Sequence, residues 1–487
     1  MDRLRISENR RYFVKEDGTP FTWLADTDWT MPLAMKWDDA LYLMQTRKEQ
    51  GFTVLQIVAL DLMGDDPEMH NPVGETAFID GDVDRPNEKY FEYLDRLLDA
   101  AGEIGLYVLL LPVWAHLVVG HDWGGKTFDK TITEENAYAY GRWFGDRYKD
   151  RKNVIWCLGG DRMPVDTGVD YRNVWRRLAE GLGRGVTGRE LRYDCSEGWE
   201  EMAITYHPCH EAETGECSTM SYWTEEDAWI SFIMIQSGHG IKKNYDIISK
   251  EYGRARIMPV WDGEPAYEMM PAAWPIDKNT PFHGSWMVRK RAYWALLAGA
   301  FGHTYGHASV WSSIDEKRQS AFFKHTWFEG LHSEGAQQIK YLRAFMDDMQ
   351  PQLGRPCQEI LPADNEDAPI DSHLQACVNG QNESVCVYFP SGGCAELDLC
   401  RVWEQEEVWL WWYRPCDGKF YADAETVTDT AQRRRTEGGR LPVCAPSSGA
   451  CEDWLLLIKK EDSRAPIQVK TYYETKRVME IKKVFEW

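Results

Sequence analysis

Apolar residues in this chain gather into short unbroken runs, separated by stretches in which they recur every three or four positions. The runs are Phe21-Thr-Trp-Leu-Ala25, residues 54–60, 107–114, 154–160, 203–207, 232–236, 257–261 and 303–307. A run that stays apolar instead of alternating is what a strand covered on both faces of a parallel sheet requires. Between the runs, Trp37, Ala40, Leu41 and Met44, then Tyr90, Leu94, Leu97, Leu98 and Ala101, then Tyr171, Val174, Trp175, Leu178 and Leu182 lie at helical spacing. Asn87 reads as the cap of the second of these helices. Leu191-Arg-Tyr-Asp-Cys195 competes with residues 203–207 for the fifth strand. Eight strands alternating with helix-like segments predict an α/β fold, a (β/α)8 TIM barrel. Its active site would lie at the C-terminal ends of the strands.

After Trp311 the pattern changes. A helix carrying Ile339, Leu342, Met346 and Met349 closes the barrel, and residues 351–356 read as a linker. Short runs at 385–389, 408–413 and 454–458 follow, punctuated by Ser391-Gly-Gly393 and Asp417-Gly418. That is the signature of an antiparallel β-sandwich. The expected domains are therefore a catalytic barrel over 1–350 and a sandwich over 357–487. The tail 469–487 could add a strand or reach a neighbouring subunit, which leaves a homo-oligomer open.

Two of the runs end in the same way. Residues 154–160 run through Gly159-Gly160 into Asp161, and residues 257–261 run through Asp262-Gly263 into Glu264-Pro265. Each strand thus delivers a carboxylate through a glycine turn, by chain order at the ends of strands four and seven. Cleavage of a glycosidic bond uses two opposed carboxyl groups, roughly 5–5.5 Å apart when the mechanism retains configuration. Asp161 is expected to stay protonated near neutrality, raised by Trp156 and by the charge of Glu264, which stays ionised. The plainer alternative is that both are strand-end ion-pair partners of Arg162 or Arg289.

Around this pair, His207, Gln236, His239 and His307 sit at or just past strand ends, where they would bind sugar hydroxyls or serve as satisfied core groups. Trp29, Trp114, Trp156, Trp223, Trp261 and Trp311 are candidate sugar-facing rings, with core packing the alternative. Asp28 would bind a hydroxyl or cap the helix after strand one. His207-Pro-Cys-His210 and the His303/His307 pair invite a metal reading, but a third ligand and an activating carboxylate in register are lacking. No metal or other cofactor is expected.

Composition narrows the partners. A formal net charge of -23 argues against nucleic acid and anionic membrane surfaces, and no apolar run is long enough to span a bilayer. The opening Met1-Asp-Arg-Leu-Arg-Ile has no apolar core of a signal peptide, so cytoplasmic residence is expected. On that basis the twelve cysteines are expected to be reduced and mostly buried.

Five segments together resemble one family. Trp156-Cys-Leu-Gly-Gly-Asp161, Tyr206-His-Pro208, Ile235-Gln-Ser-Gly-His239, Asp262-Gly-Glu-Pro265 and Ala300-Phe-Gly-His-Thr-Tyr-Gly-His307 resemble the apiosidase-like glycoside hydrolases, glycoside hydrolase family 140 and its relatives. Trp412-Tyr-Arg-Pro415 and Asp453-Trp-Leu-Leu456 resemble the β-sandwich that accompanies that barrel and is named for collagen binding. The resemblance implies a TIM barrel in which Asp161 is the acid/base and Glu264 the nucleophile. The implied activity is removal of D-apiose-linked side chains from a plant pectin. Without an export signal, a short imported oligosaccharide or glycoside is the expected substrate. Two other readings stay open: a carbohydrate-binding protein without catalysis, and a metal-dependent TIM-barrel hydrolase.

Overall fold

The computed structural model describes residues 1–62, 66–210, 215–238, 243–381 and 383–473. Eight parallel strands form the barrel: β1 (Trp23–Thr27), β2 (Val54–Val58), β3 (Tyr107–Leu111), β4 (Val154–Gly159), β5 (Ile204–His207), β6 (Ile233–Ile235), β7 (Val260–Asp262) and β8 (Gly302–Tyr305). Every residue of these strands is buried, as the unbroken apolar runs require. The seventh strand is shorter than its sequence run because Ile257 is exposed and Pro259 has no N–H for a ladder. Residues 191–195 form no strand, which settles the fifth position in favour of β5.

Helices α1 (Trp37–Glu49), α2 (Glu88–Ile104), α3 (Ala137–Tyr148), α4 (Arg172–Thr187), α5 (Asn244–Tyr252), α6 (Ser285–Leu297) and α7 (Glu334–Met349) cover the barrel. Asn87 caps α2 by accepting from the Lys89 N–H, and Gly105 closes it at φ 84°. The expected helix between β5 and β6 is missing among the described residues; a single 3-10 turn, Thr219–Ser221, stands there. Glycines set the contact between α3 and α4. A Cβ on Gly141 would lie 2.5 Å from the Leu178 carbonyl oxygen, and one on Gly181 2.2 Å from that of Tyr138. The two backbones touch directly, and only glycine allows it.

The ladder runs β6-β7-β8-β1-β2-β3-β4-β5, so closure falls between β5 and β6. There the Ser231 N–H donates to the Ile204 carbonyl (2.9 Å), and the Thr205 hydroxyl donates to that of Phe232 (2.6 Å). Further along, Thr219 is wedged between the strands. Its hydroxyl donates to Tyr206 O (2.6 Å) and accepts from the Met234 N–H (3.0 Å), while the Gln236 N–H donates to Cys217 O (2.8 Å). Side-chain hydroxyls here supplement the backbone bonds that close the barrel. At the opposite end of the barrel, Phe13 of the N-terminal hairpin joins Trp23, Phe232, Trp261 and Phe301 in an aromatic plug with ring centroids 5.1–5.7 Å from Phe13 or Trp261.

Beyond the barrel, β9 (Arg355–Pro356), β10 (Gln375–Asn379), β11 (Ser384–Phe389), β12 (Gly392–Asp398), β13 (Glu407–Arg414), β14 (Lys419–Tyr421), β15 (Gln432–Arg435), β16 (Arg440–Ser448) and β17 (Trp454–Lys459) form antiparallel sheets. The larger sheet is covered on both faces. Tyr388, Trp411, Tyr413, Leu455 and Leu457 face the barrel, while Val387, Leu410, Trp412, Leu456 and Ile458 face the β12–β16 ribbon. Helix α6 is held between barrel and sheet, which explains why it is buried on every side, its cations Arg289 and Lys290 included, each paired with an aspartate. Across that junction Arg289 donates to both oxygens of Asp453 (2.7 and 3.1 Å), and Tyr293 stacks on Tyr388 at 5.1 Å. Most cysteines are free as expected, but Cys394 and Cys444, opposed on β12 and β16, form a disulfide. Residues 469–473 add no strand, and the rest of the tail lies outside the described residues.

The Thr219→Val variant keeps the shape of the wedge and removes its hydroxyl, orphaning two buried backbone groups. We expect a loss of about 1–3 kcal/mol per orphaned group, read as a lower urea midpoint with an unchanged m-value. An unchanged midpoint would show that the seam does not depend on this hydroxyl.

Candidate active site

Four consecutive strands, β4 to β7, deliver Asp161, His207, Gln236 and Glu264 to one place on the C-terminal rim. The turn after β4 is sharp: Gly159, Gly160 and Asp161 have φ of 88°, 123° and 53°. Side chains are excluded at both glycines. A Cβ on Gly159 would lie 2.5 Å from His207 O, and one on Gly160 2.6 Å from the Trp114 ring. Asp161 tolerates the left-handed conformation better than most residues, at about 1–2 kcal/mol. After β7, Gly263 has another reason to be glycine, since a Cβ there would meet the Met234 side chain at 2.4 Å.

The His207 imidazole joins the two turns. Its Nε2 lies 2.9 Å from Glu264 Oε2, and its Nδ1 lies 3.2 Å from the Asp161 N–H and 2.7 Å from Pro208 O. In the neutral ring Nε2 donates to Glu264 and Nδ1 accepts from Asp161; a second proton on Nδ1 turns that nitrogen towards Pro208 O. Trp29 and Trp114 wall the ring in, at centroid distances of 5.2 and 5.4 Å. Gln236 Nε2 donates to Asp161 Oδ1 (2.7 Å), and the Trp123 indole N–H donates to Asp161 Oδ2. Gln236 Oε1 accepts from the His210 N–H at 2.6 Å.

Burial, and then the charge of Glu264, push the Asp161 carboxyl above the usual aspartate range, while Gln236, His207 and Trp123 pull the other way. For His207 burial works against protonation, yet the hydrogen bond to Glu264 and the charges of Glu264 and Asp161 outweigh it and raise its pKa. Trp156 has no part in this. It points outward against Phe144 of α3, at 6.2 Å. Arg162 does not pair with the Asp161 carboxylate; it donates to the Asp161 carbonyl (3.2 Å), and Arg289 is engaged with Asp453.

Other residues singled out from the sequence lie elsewhere. Trp261 is wholly buried one layer below, where its indole donates to Thr304 Oγ1 (3.1 Å). Thr304 in turn contacts Gln56 (3.3 Å), whose amide donates to Gly263 O (2.9 Å), so Trp261 supports the turn from beneath. His307 is buried against Gly330 and stacked with His325 at 5.8 Å; burial, then Arg47 and His325, push it down to about 3. Asp28 neither caps nor faces solvent. Its carboxyl is sealed in beside Asp26 and is pushed well up by burial and by the charge of Asp26. Trp223 packs on Trp229 and Tyr206. Trp311 joins the rim wall with Tyr267, Met270 and Phe322. His239 lies outside the described residues. Among the described residues no group of three or more His, Cys, Asp or Glu is placed to hold a metal ion.

Two contributors escaped the sequence reading. Tyr267, three residues past Glu264, is buried and feels its charge. Trp123 is 61% exposed at the tip of a polar, glycine-containing loop, and that contrast was the available signal.

The family model for the apiosidase-like catalytic domain matches residues 7–352 of the chain. The chain belongs to the apiosidase-like family. It is accordingly a glycosidase, and solved structures of similar shape agree. One, named a glycoside hydrolase, superposes with a TM-score of 0.78 at 25% identity, covering 97% of this chain and 98% of its own. A family 5 glycoside hydrolase from Bacteroides vulgatus ATCC 8482 gives a TM-score of 0.77 at 24% identity, covering 97% and 95%, which shows the shared fold. No curated protein matches it.

In this apiosidase-like site, His207 has a pKa above its ordinary value of 6.5, so its stabilising contribution is complete below about pH 6.5. That contribution fades as pH rises through the folded value. The stability gap between wild type and His207→Gln should therefore narrow from pH 6 to pH 9 in chemical denaturation. A gap independent of pH would contradict it.

Proposed function

We propose that this glycosidase cleaves a plant-type oligosaccharide or small glycoside with retention of configuration, Asp161 acting as acid/base and Glu264 as nucleophile. The observation that carries this reading is the linkage of two carboxyl-bearing turns, after β4 and β7, through one imidazole. Asp161, raised by burial and by Glu264, is suited to hold a proton for the leaving oxygen. Glu264 has Oε2 held by His207, which orients its carboxylate at the strand end for attack on the anomeric carbon.

The steps follow from this electrostatic pairing. Glu264 attacks the anomeric carbon as Asp161 gives its proton to the departing oxygen, and a glycosyl ester forms on Glu264. Ester formation removes the Glu264 charge, which was one cause of the raised Asp161 pKa. Asp161 then becomes a stable carboxylate, able to take a proton from water as that water attacks the ester. Gln236 and Trp123 donate to the same carboxylate and keep it oriented through both halves of the cycle. An apiosidic linkage is the first candidate because of the family.

A panel of aryl glycosides, apiosides and pentosides included, tests the roles. Wild type should cleave at least one, and Glu264→Ala should fall by about 10³-fold or more and form a glycosyl azide when azide is added. A Glu264→Ala enzyme with wild-type turnover would refute the assignment, and binding without turnover by wild type would favour a carbohydrate-binding role. The pH profile gives a second check. Since Asp161 is raised, its acid form persists to higher pH, and activity should be lost as pH rises through that raised value. The alkaline limb of kcat/KM should lie above the ordinary aspartate value of 3.8 and vanish in Asp161→Ala.

A further inference from the structure

We infer that Trp123 is the platform on which the leaving-group sugar rests while Asp161 protonates its departing oxygen. This deepens the proposed function and rests on that assignment of Asp161. The Trp123 indole is open to solvent, at 61% exposure, directly beside the acid. The ring is nonetheless fixed in place. Its N–H is bound to Asp161 Oδ2, and the Arg162 guanidinium lies 3.6 Å from the ring centroid on one face. Arg162 is itself buried and tied to the Asp161 carbonyl (3.2 Å), so the acid and the ring share one support.

The loop carrying Trp123 is held at both ends. Asp122 and Lys126 bond across the tip (2.9 and 3.0 Å), and His121 at its base meets Asp166 at 3.2 Å. One face of the indole is covered by Arg162, which leaves the other for a ligand. Beside it lies a cavity of about 260 Å³ bordered by Trp123, Arg162, Met163, Asp166 and His210. That is just under the range of about 300–1,000 Å³ for drug-sized ligands, the scale of a single sugar ring. The side of the bond is set by chemistry. The acid touches the leaving oxygen, so a ring bonded to the acid's own carboxyl lies on the leaving-group side and not on the side of the sugar attacked by Glu264.

Stacking of a pyranose or furanose face on an indole gives selectivity for a sugar leaving group over a small alcohol, which has no face to stack. The test compares two substrates of the glycone that wild type accepts: its methyl glycoside and a disaccharide in which a second sugar is the leaving group. Both need the proton from Asp161, but only one can use the ring. Trp123→Ala should lower kcat/KM for the disaccharide by about tenfold more than for the methyl glycoside. Trp123→Phe keeps a ring but loses the N–H. It should keep the disaccharide preference within about threefold while moving the alkaline limb upward, because a donor to the carboxylate is gone. Equal losses on both substrates in Trp123→Ala, or no loss on either, would overturn the platform and leave the mechanism standing. An Asp161→Ala enzyme as active as wild type would instead remove the mechanism on which the platform rests. Trp123 is exposed, so either variant is expected to fold.

Discussion

The site depends on one imidazole with a different obligation at each nitrogen. His207 ends β5, between the strands that carry Asp161 and Glu264, and it contacts the backbone of one and the side chain of the other. A buried polar group with an unmet bond costs about 1–3 kcal/mol, so the ring cannot turn without losing both contacts. Trp29 and Trp114 remove the remaining freedom by packing against its faces and edges. The geometry of the pair of carboxyl groups is thereby set by a group that belongs to neither turn.

His207 is in turn only as well placed as the seam beside it. Between β5 and β6 serine and threonine hydroxyls supplement the backbone bond from Ser231 to Ile204, with residues 217–219 inserted as a wedge. That wedge also bonds Gln236, the donor to Asp161. Two of the four residues at the rim are therefore positioned across a junction of the barrel that side-chain hydroxyls help the backbone to close. A helix in the β5–β6 connection would cover the outer layer, but it would not deliver a hydroxyl between the strands.

The barrel was legible in the sequence because burial on both faces leaves no alternation, and each strand announced itself as an unbroken run. The two carboxylates were legible because glycine turns mark strand ends. What sequence periodicity cannot convey is direction. Trp156 and Trp261 sit on the right strands, yet one points into the helical layer and the other into the barrel floor. His307 follows β8 closely, but the chain folds back and buries it against Gly330. Asp28 lies beside a second buried carboxylate, Asp26, whose partner Arg47 comes from α1, a pairing that local sequence does not show. Trp123 was overlooked for the opposite reason: it lies in a loop without periodicity, reached only through its contact with Asp161.

The contact between α3 and α4 has a consequence for anyone seeking a hardier version of this protein. By helix propensity alone, the glycines within these helices look like defects, each costing about 1 kcal/mol relative to alanine. An engineer filling them one by one would expect a gain at every step. At Gly141, Gly145, Gly181 and Gly185, however, a methyl group would be driven into a backbone atom of the other helix at 2.2–2.5 Å. The strand between those helices is β4, which carries the turn to Asp161. Pushing the pair apart would cost stability by overpacking and would also reach the turn to Asp161 through that strand, so a fill that looks favourable by propensity would lose on both counts.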